Sequence, residues 1–167
     1  MSNITYRKAT IKDCYSIAKL KGEIWDTTYR GIYSDALIDN YDITKNKLIF
    51  EGIVSNPNYS LYVAMDNQII IGFMSCGEPY RPFLKYKKEI GLLYILKEYQ
   101  RKGIGKMLFL IAKDIVRKSE NDEFFVSVNK YNTNAIQFYI AIGGTIISID
   151  EDKEDKRETQ VKIHYTV

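Results

Sequence analysis

A short glycine-containing turn between a strand-like segment and an amphipathic helical segment constrains this chain more than any other feature. Residues 89–96 are rich in Ile, Leu and Tyr, which is typical of a strand. From Gly103 onward, apolar residues such as Ile104, Leu108 and Ile111 recur at helical spacing. A strand that leads so directly into a helix predicts a strand–helix unit in a sheet that carries helices on its faces.

The turn itself, residues 100–106, has the composition of an anion-binding site. At the start of a helix the first backbone N–H groups lack partners and the dipole is positive, so phosphate oxygens bind there. Gly103 and Gly105 allow a ligand to approach closely, or the backbone to adopt a positive φ. The same turn carries three basic residues, Arg101, Lys102 and Lys106. The residues alone leave a second interpretation open, in which the turn only starts a helix.

Two common phosphate-binding motifs are excluded by the spacing of the glycines. The Gly-x-x-x-x-Gly-Lys-Ser/Thr pattern of a nucleotide P-loop is missing. The third glycine of the dinucleotide fingerprint is absent at its required position. A nucleotide-binding protein is therefore disfavoured.

The rest of the chain alternates between strand-like and helical patterns. Strands are predicted at residues 4–8, 61–65, 68–75, 89–96, 123–128, 145–149 and 160–165. Helices are predicted after residue 10, at 45–54, from 103 onward and at 133–142. Early hairpins followed by a strand–helix–strand crossover predict an α/β (α+β) fold. Its central sheet is expected to be mixed, mostly antiparallel and flanked by helices on both faces.

Composition narrows the class of protein further. The 167 residues fit a single domain, residues 1–167, and 46% hydrophobic with 27% charged residues is typical of a globular protein. A net charge of +3 is too small to indicate nucleic-acid binding. Cys14, Cys76 and the single histidine, His164, have no metal-binding or disulfide-framework spacing. Neither a signal-like start nor an apolar run of about 18 residues occurs, so we expect a cytoplasmic protein.

Three linked motifs resemble those of the GNAT superfamily of N-acetyltransferases. Residues 89–95, EIGLLYI, are similar to the family's Glu-Leu-x-x-Leu-Tyr-Val strand, and residues 100–105, QRKGIG, resemble its pyrophosphate-binding motif. Residues 132–143, NTNAIQFYIAIG, resemble its second signature. Lys97 and Gly144 depart from the family pattern, which commonly has Pro and Phe there. The motifs stand in the family's order, so the resemblance covers nearly the whole chain.

The resemblance implies that the chain binds acetyl-CoA. In the family the pantetheine arm pairs with the strand that follows Glu89, and a backbone N–H there stabilises the thioester oxyanion. Two asparagines near the last helix are expected to contact the CoA arm or to cap that helix. The implied cofactor-binding residues are Leu93, Tyr94, Ile95, Gln100, Arg101, Lys102, Gly103, Ile104, Gly105, Lys106, Asn129 and Asn132.

The resemblance also assigns two catalytic positions. Tyr139 matches the family's general acid, which protonates the departing CoA thiolate, and Glu89 lies where several members carry a general base for the amine. The residues alone also allow Tyr139 to be a packing aromatic and Glu89 to be a charge at a strand entrance. An acyl-cysteine at Cys76 is disfavoured because no adjacent histidine activates the thiol. We therefore expect direct transfer in a ternary complex.

The acceptor site is predicted from two segments. Residues 25–32 are similar to a segment that lines the acceptor pocket in a subset of GNAT enzymes. Trp25, Tyr29 and Tyr33 are then expected to form an aromatic wall, although a Trp at helical spacing also fits a core position. The second segment is a charged loop whose acidic residues are hypothesised to attract a cationic amine: Glu151, Asp152 and Glu154.

The predicted function is acetyl transfer from acetyl-CoA to a primary amine of a small molecule. Two alternatives stay open: acetylation of a protein N-terminus or lysine, and an acyl-CoA sensor without turnover. Retention of Tyr139 and Glu89 favours an enzyme over a sensor. We expect neither a metal, nor nucleic acid, nor a membrane as a partner. A homodimer is compatible with the resemblance, but no sequence feature requires one.

Overall fold

The structure, a computed structural model, describes residues 3–167 and contains a seven-stranded sheet. Its strands are β1 Ile4–Lys8, β2 Tyr59–Asp66, β3 Ile69–Gly77, β4 Glu89–Ile95, β5 Glu123–Asn129, β6 Thr145–Asp150 and β7 Gln160–Thr166. They lie side by side in the order β1-β2-β3-β4-β5-β7-β6. Every neighbouring pair is antiparallel except β4 and β5, which are parallel. The predicted mixed, mostly antiparallel sheet is confirmed.

The helices are α1 Cys14–Ile24, α2 Asp35–Asp39, α3 Ile43–Ser55, α4 Ile104–Lys118 and α5 Thr133–Ala141. A π-helical turn, Trp25–Tyr29, continues α1 directly. Helix α4 is strongly amphipathic, and its buried side includes Leu108, Ala112 and Val116. Within residues 3–167, no helix is both long and apolar enough to cross a membrane.

Strand β3 lies at the centre of the core, between helices on opposite faces of the sheet. On one face Phe73 packs edge-on against Phe50 of α3, with ring centroids 5.4 Å apart. On the other face Tyr62, which pairs with Met74, lies beside Met107 of α4. Because successive strand residues point to opposite faces, both faces of the sheet are covered, as predicted.

The segment between α1 and α3 differs most from the sequence prediction, which placed no element there. It contains the π-helical turn and the five-residue helix α2. Ser34 caps α2, since its side chain accepts a hydrogen bond from the Leu37 N–H at 3.3 Å. Helices this short carry too few residues for their apolar periodicity to be recognised in a sequence.

Candidate active site

A wedge-shaped gap opens where β4 and β5 separate. The two strands pair at only two positions, Glu89 with Phe125 and Ile90 with Val126. Beyond these positions β5 remains paired with β7, whereas β4 continues to Ile95 without further pairing to β5. The backbone N–H and C=O groups on that side of β4 are therefore available to a ligand.

A β-bulge lies at the point where β4 leaves β5. Ser75 of β3 pairs with Leu92, but Cys76 pairs with Ile90, so Gly91 is the extra residue. A bulge bends its strand and increases the local twist. The sequence alone does not show this bulge, which accounts physically for the separation of the two strands.

The turn before α4 closes one end of the gap. Arg101 and Gly103 have positive φ angles of 59° and 82°, and Gly103 directly precedes the first residue of α4. The Gln100 Nε2 donates a hydrogen bond to the Ile95 carbonyl oxygen at 3.1 Å, which ties the turn to the end of β4. The free N–H groups of α4 therefore face the mouth of the gap, as an anion site requires.

Gly105 lies in the tightest part of this turn. A Cβ atom there would lie 3.1 Å from Ile95 Cδ1 and 3.4 Å from Phe138 Cζ. The first turn of α4 thus packs directly against the end of β4 and against α5. A larger side chain at Gly105 has to displace these neighbours or project into the gap.

The basic and apolar side chains of the turn divide into two groups. Arg101 and Lys106 line the cavity into which the gap opens. The Lys102 ammonium instead lies over the Tyr99 ring, 5.0 Å from its centroid, and Ile104 is buried in the core. Lys102 and Ile104 can therefore contact a phosphate only through their backbone N–H groups, whereas Arg101 and Lys106 can contact it with positively charged side chains.

Tyr139 lies on α5 and lines the same cavity, with only 5% of its surface exposed. Asn132 caps this helix, its Oδ1 accepting the Ala135 N–H at 3.2 Å. The Tyr165 hydroxyl donates to the Tyr139 carbonyl oxygen at 2.6 Å and fixes the helix against β7. Burial raises the pKa of Tyr139, so its hydroxyl keeps its proton in the neutral range. Tyr139 is therefore a hydrogen-bond donor on the cavity wall.

Glu89 is the first residue of β4 and lies at the narrow end of the gap, where only 6% of its surface is exposed. Its Oε1 accepts a hydrogen bond from Ser127 Oγ at 2.6 Å, and its Oε2 accepts the Tyr80 N–H at 2.9 Å. The carboxyl group is thus buried and held, not a solvated charge. Each carboxylate oxygen keeps a further lone pair, so Glu89 can accept a proton from a ligand in the cavity.

Trp25, Tyr29 and Tyr33 form one aromatic cluster. Tyr29 and Tyr33 are stacked with ring centroids 5.0 Å apart, and Trp25 lies 5.5 Å from Tyr33. Tyr29 meets Tyr94 of β4 edge-on at 6.1 Å, and its hydroxyl accepts a hydrogen bond from Asn132 Nδ2 at 3.3 Å. Tyr29 and Tyr33 line the cavity, whereas Trp25 packs behind them.

Asn129 connects the end of β5 to the loop between β6 and β7. It is 3% exposed, and its Nδ2 donates to the Arg157 carbonyl oxygen at 2.6 Å. Its Oδ1 accepts the Tyr131 N–H at 2.9 Å. The amide therefore holds two loops in place at the cavity wall.

The cavity has a volume of about 1650 Å³, which is large enough for a cofactor arm together with a second ligand. Its charges are segregated by chain segment: the lining residues of the turn and of α4 include Arg101 and Lys106, and no acidic ones. The acidic lining residues come from elsewhere, namely Glu78, Glu89, Asp150, Glu151, Asp152 and Glu158. These six acidic residues outnumber the cations that line the cavity outside the turn and α4, which are Lys21, Arg81, Lys97 and Lys162.

Sequence reasoning found only part of this acidic set. Glu151 and Asp152 line the cavity, whereas Glu154 does not. Glu78, Asp150 and Glu158 were missed, because nothing in their local sequence indicates that these positions face a common cavity.

Lys21 of α1 was also missed. Its Nζ donates to Asn46 Oδ1 at 2.9 Å and lies 5.0 Å from the Trp25 ring centroid. Burial lowers the pKa of Lys21 to about 8. A lysine on an otherwise apolar helix face could have been noticed, but the sequence does not show which side chains enclose it.

The thiol of Cys76 does not have the environment of a nucleophile. Burial raises the pKa of Cys76 to about 12. The single histidine, His164, has its Nδ1 hydrogen-bonded to the Tyr86 hydroxyl at 2.6 Å. The thiol therefore stays protonated at neutral pH, which agrees with the expectation of direct transfer.

A family model described as "Acetyltransferase (GNAT) family" matches residues 22–143, which is most of the chain. The chain belongs to this family. It is an acetyl-CoA-dependent N-acetyltransferase, so the predicted family, enzyme class and cofactor are confirmed.

Individual relatives agree with this assignment. The spermidine N(1)-acetyltransferase of Thermoplasma acidophilum is 30% identical over 153 residues, which cover 89% of this chain and 92% of that protein. The crystal structure of the PaiA N-acetyltransferase from Thermoplasma acidophilum with coenzyme A matches with a TM-score of 0.82, 26% identity and 99% of both chains. YncA of Salmonella typhimurium, solved with acetyl-CoA, shares the fold with a TM-score of 0.73 at 19% identity, over 98% of this chain and 93% of that one.

The residues present fit acetyl-CoA. The free edge of β4, including Leu93 and Ile95, can pair with an amide-containing pantetheine arm. The positive-φ turn and the start of α4 suit a pyrophosphate. Gly105 lines the cavity beside that helix start, and its lack of a side chain lets the helix pack closely against Ile95 and Phe138.

Proposed function

We propose that this enzyme acetylates a primary amine of a small polycationic molecule, with a polyamine such as spermidine as the type of acceptor. The segregation of charge in the cavity carries the proposal. One ammonium group has to lose its proton and react, while the others need counter-charges at a distance. The acidic side chains of the β6–β7 hairpin, Glu151 and Asp152, offer them. The similarity to a spermidine N(1)-acetyltransferase supports this acceptor class.

The aromatic wall supports the same class of acceptor. Tyr29 and Tyr33 are stacked on the cavity wall, and the faces of aromatic rings attract ammonium groups. Methylene segments between the amines of a polyamine also pack well on such rings. The wall therefore suits a long aliphatic cation.

The proposed chemistry uses three parts of the chain. When bound, acetyl-CoA supplies the acetyl group as a thioester. Glu89 takes a proton from the ammonium, which frees the nitrogen lone pair for attack on the thioester carbonyl carbon. A backbone N–H within Leu93–Ile95 donates to the carbonyl oxygen while it carries negative charge. Tyr139 donates its hydroxyl hydrogen to the departing sulfur, so an amide forms as the carbon–sulfur bond breaks. The nitrogen loses its second proton to water in the same step, and Tyr139 regains a proton from water.

The decisive test combines cofactor binding with an acceptor panel. Calorimetric titration with acetyl-CoA, CoA and ATP should give micromolar binding of the CoA species and none of ATP. Thiol release is then measured with spermidine, spermine, putrescine, an aminoglycoside and free lysine. Polyamines should have the highest kcat/KM, and N-acetylspermidine should be identified by mass spectrometry. Equal, low rates with all amines would contradict the proposed acceptor class.

The two alternatives are tested in the same experiment. Peptides with free N-termini or lysines belong in the panel, because an N-alpha-acetyltransferase of Schizosaccharomyces pombe is 29% identical over 87 residues, 52% of this chain and 57% of that protein. A peptide preferred over every polyamine supports a protein acceptor. CoA binding without transfer to any amine or peptide supports a sensor.

A further inference from the structure

Glu89 is the first member of a chain of polar side chains that crosses three strands. Its Oε1 accepts a hydrogen bond from Ser127 of β5 at 2.6 Å. Ser127 Oγ in turn accepts one from Lys162 Nζ of β7 at 2.8 Å. The register explains the contact, because Ser127 and Lys162 are directly paired across β5 and β7, and paired side chains share a face. All three residues line the cavity.

The hydrogen bonds that link these three side chains can run in only one direction, from Lys162 through Ser127 to Glu89. A lysine ammonium can only donate, so Ser127 Oγ has to accept from Lys162. The single hydroxyl hydrogen of Ser127 must then point at Glu89 Oε1. The other oxygen, Oε2, accepts the Tyr80 N–H at 2.9 Å. Both carboxylate oxygens are thus acceptors, an arrangement that matches the ionised form of Glu89.

Lys162 is held where its charge acts strongly. Its side chain is 13% exposed, and Nζ lies 5.5 Å and 5.3 Å from the ring centroids of Phe83 and Phe125. The carboxylate of Asp150 on β6 is 3.8 Å away and 46% exposed. Little water reaches the ammonium in this position, so its interaction with the hydrogen-bonded chain is weakly screened.

Other titratable groups share this face of the sheet or lie next to Glu89. They are Cys76 of β3, Lys88 before β4, Tyr86 of the β3–β4 loop, Asp150 of β6 and His164 of β7. Burial raises the pKa of Cys76 to about 12, so its thiol carries no charge at neutral pH. Burial also raises the pKa of Tyr86. Lys162 is the cation that reaches the carboxylate through hydrogen bonds.

We propose that Ser127 and Lys162 are positioning residues for acetyl transfer, which hold Glu89 ionised with its free lone pairs toward the cavity. The inference rests on the proposed role of Glu89 as the base. Neither positioning residue needs to touch the reacting atoms. Removing the Lys162 charge leaves Ser127 free to rotate its hydroxyl hydrogen away from Glu89, which favours the protonated carboxyl.

The test is the pH dependence of kcat/KM for the acceptor amine in four variants. Lys162→Met should move the acidic limb of the profile upward by about one pH unit, so kcat/KM should fall roughly tenfold at pH values on that limb and less on the plateau. Lys162→Arg should return the limb close to its wild-type position, and Ser127→Ala should move it in the same direction as Lys162→Met. Lys19→Met, an exposed lysine of α1, is the matched control. The KM for acetyl-CoA should stay within a few-fold in all four.

A second readout does not depend on turnover. The carboxyl ¹³C signal of Glu89, assigned with Glu89→Gln, is titrated by NMR in the wild type, in Lys162→Met and in Ser127→Ala. The midpoint should rise in both variants. Unchanged or lowered midpoints in both overturn the inference, even where activity falls, because a loss of packing that only admits water to the carboxyl group does not raise its midpoint. A wild type that binds CoA but acetylates no amine defeats the proposed function instead, and the two failures are thus distinguishable.

Discussion

The two halves of the cavity are built in different ways. The side that we propose for the cofactor, called the cofactor side, consists of β4, the turn at residues 100–106 and the start of α4. It offers mainly backbone: a strand edge without a partner, two positive φ angles and the N–H groups of a helix start. The side that we propose for the acceptor, called the acceptor side, consists of the segment from α1 to α3, the loop at residues 78–88 and the β6–β7 hairpin. It offers side chains from distant parts of the sequence.

The difference separates a generic ligand site from a selective one. Backbone groups recognise what every acyl-CoA shares, namely amides and a pyrophosphate, and they depend on a few glycines and one bulge. Charged and aromatic side chains recognise one acceptor among many, and they can be exchanged without altering the sheet. Substitutions on the cofactor side should therefore affect every acceptor alike, whereas those on the acceptor side should change selectivity.

The largest effect is expected at Gly105. Gly105→Glu places bulk against Ile95 and Phe138 and negative charge at the helix start, where we propose that the pyrophosphate binds. Acetyl-CoA affinity, measured by calorimetry, should fall by roughly a hundredfold or more, about 3 kcal/mol. Met107→Glu is the matched control, since it adds the same charge two residues later on a side of α4 away from the cavity. Affinity within a few-fold of wild type in Gly105→Glu would remove the anion site.

The next largest effect is expected at Tyr139. Tyr139→Phe removes the proposed donor to the departing sulfur, so kcat should fall by roughly tenfold to a hundredfold with acetyl-CoA affinity nearly unchanged. Because burial raises the pKa of Tyr139, the hydroxyl is protonated at all working pH values. The loss should therefore be uniform between pH 6 and 9. Steady-state kinetics across that range are the measurement, and an unchanged kcat ends the acid role.

A variant of β7 that packs against α5 separates the chemistry of the Tyr139 hydroxyl from the packing of its helix. Tyr165→Phe removes the hydroxyl that donates to the Tyr139 carbonyl oxygen at 2.6 Å. This buried hydrogen bond holds α5, so its loss should cost about 1–2 kcal/mol of the free energy of unfolding. Any fall in kcat should be smaller than for Tyr139→Phe. The reverse ranking would mean that α5 acts through its position and not through the Tyr139 hydroxyl.

The same contrast explains what the sequence reveals. The cofactor side is local: the strand, the turn and the helix are contiguous, so their glycines and apolar periodicity are visible in one window. The bulge at Gly91 is the exception, because it is defined by the pairing of β3 with β4 and not by the composition of either strand. The strands predicted at residues 61–65 and 68–75 imply a hairpin turn at Asp66-Asn67, but the structure pairs Asp66 with Ile69 and so places the two turn residues one position later.

The acceptor side depends on register and on loop paths. Ser127 and Lys162 are 35 residues apart and meet only because β5 pairs with β7 in one register. Glu78 and Glu158 reach the cavity from loops that no periodic pattern constrains. Trp25, Tyr29 and Tyr33 were recognised through family resemblance, yet the structure was needed to separate the two lining tyrosines from the tryptophan behind them.

A stability cost on the acceptor side should be measurable at Lys21. Burial lowers the pKa of Lys21 to about 8 from its ordinary 10.5, so the folded state binds this proton less tightly than the unfolded state. The cost is fully present below about pH 8 and disappears as pH rises towards 10.5. Lys21→Met removes this cost of burying a charge but also loses the Asn46 hydrogen bond. The net result should be an increase of roughly 1–2 kcal/mol in the free energy of unfolding at pH 7.

Urea denaturation at pH 7 and pH 10 checks this prediction. The advantage of Lys21→Met over the wild type should shrink at pH 10, because the wild-type lysine is then largely neutral in the folded state. Lys19→Met, whose lysine is exposed on the same helix, should show no such pH-dependent difference. A Lys21→Met variant that is less stable than the wild type at both pH values would mean that the Asn46 contact outweighs the burial of the charge.

The smallest effect is expected at the acidic β6–β7 hairpin. It separates the acceptor side from the cofactor side most clearly, because it should change the KM for only one of the two substrates. The double variant Glu151→Gln, Asp152→Asn removes two lining charges without changing side-chain size. The KM for spermidine should rise a few-fold, which corresponds to a loss of about 1 kcal/mol or less in binding free energy, because partly exposed charges are screened. The rise should fade at high salt, and the KM for acetyl-CoA should not change.

Glu154→Gln is the matched control, because Glu154 belongs to the same loop but does not line the cavity. If Glu154→Gln raises the spermidine KM as much as the double variant, the hairpin attracts cations only through its overall charge, and selectivity must come from the aromatic wall and Glu89.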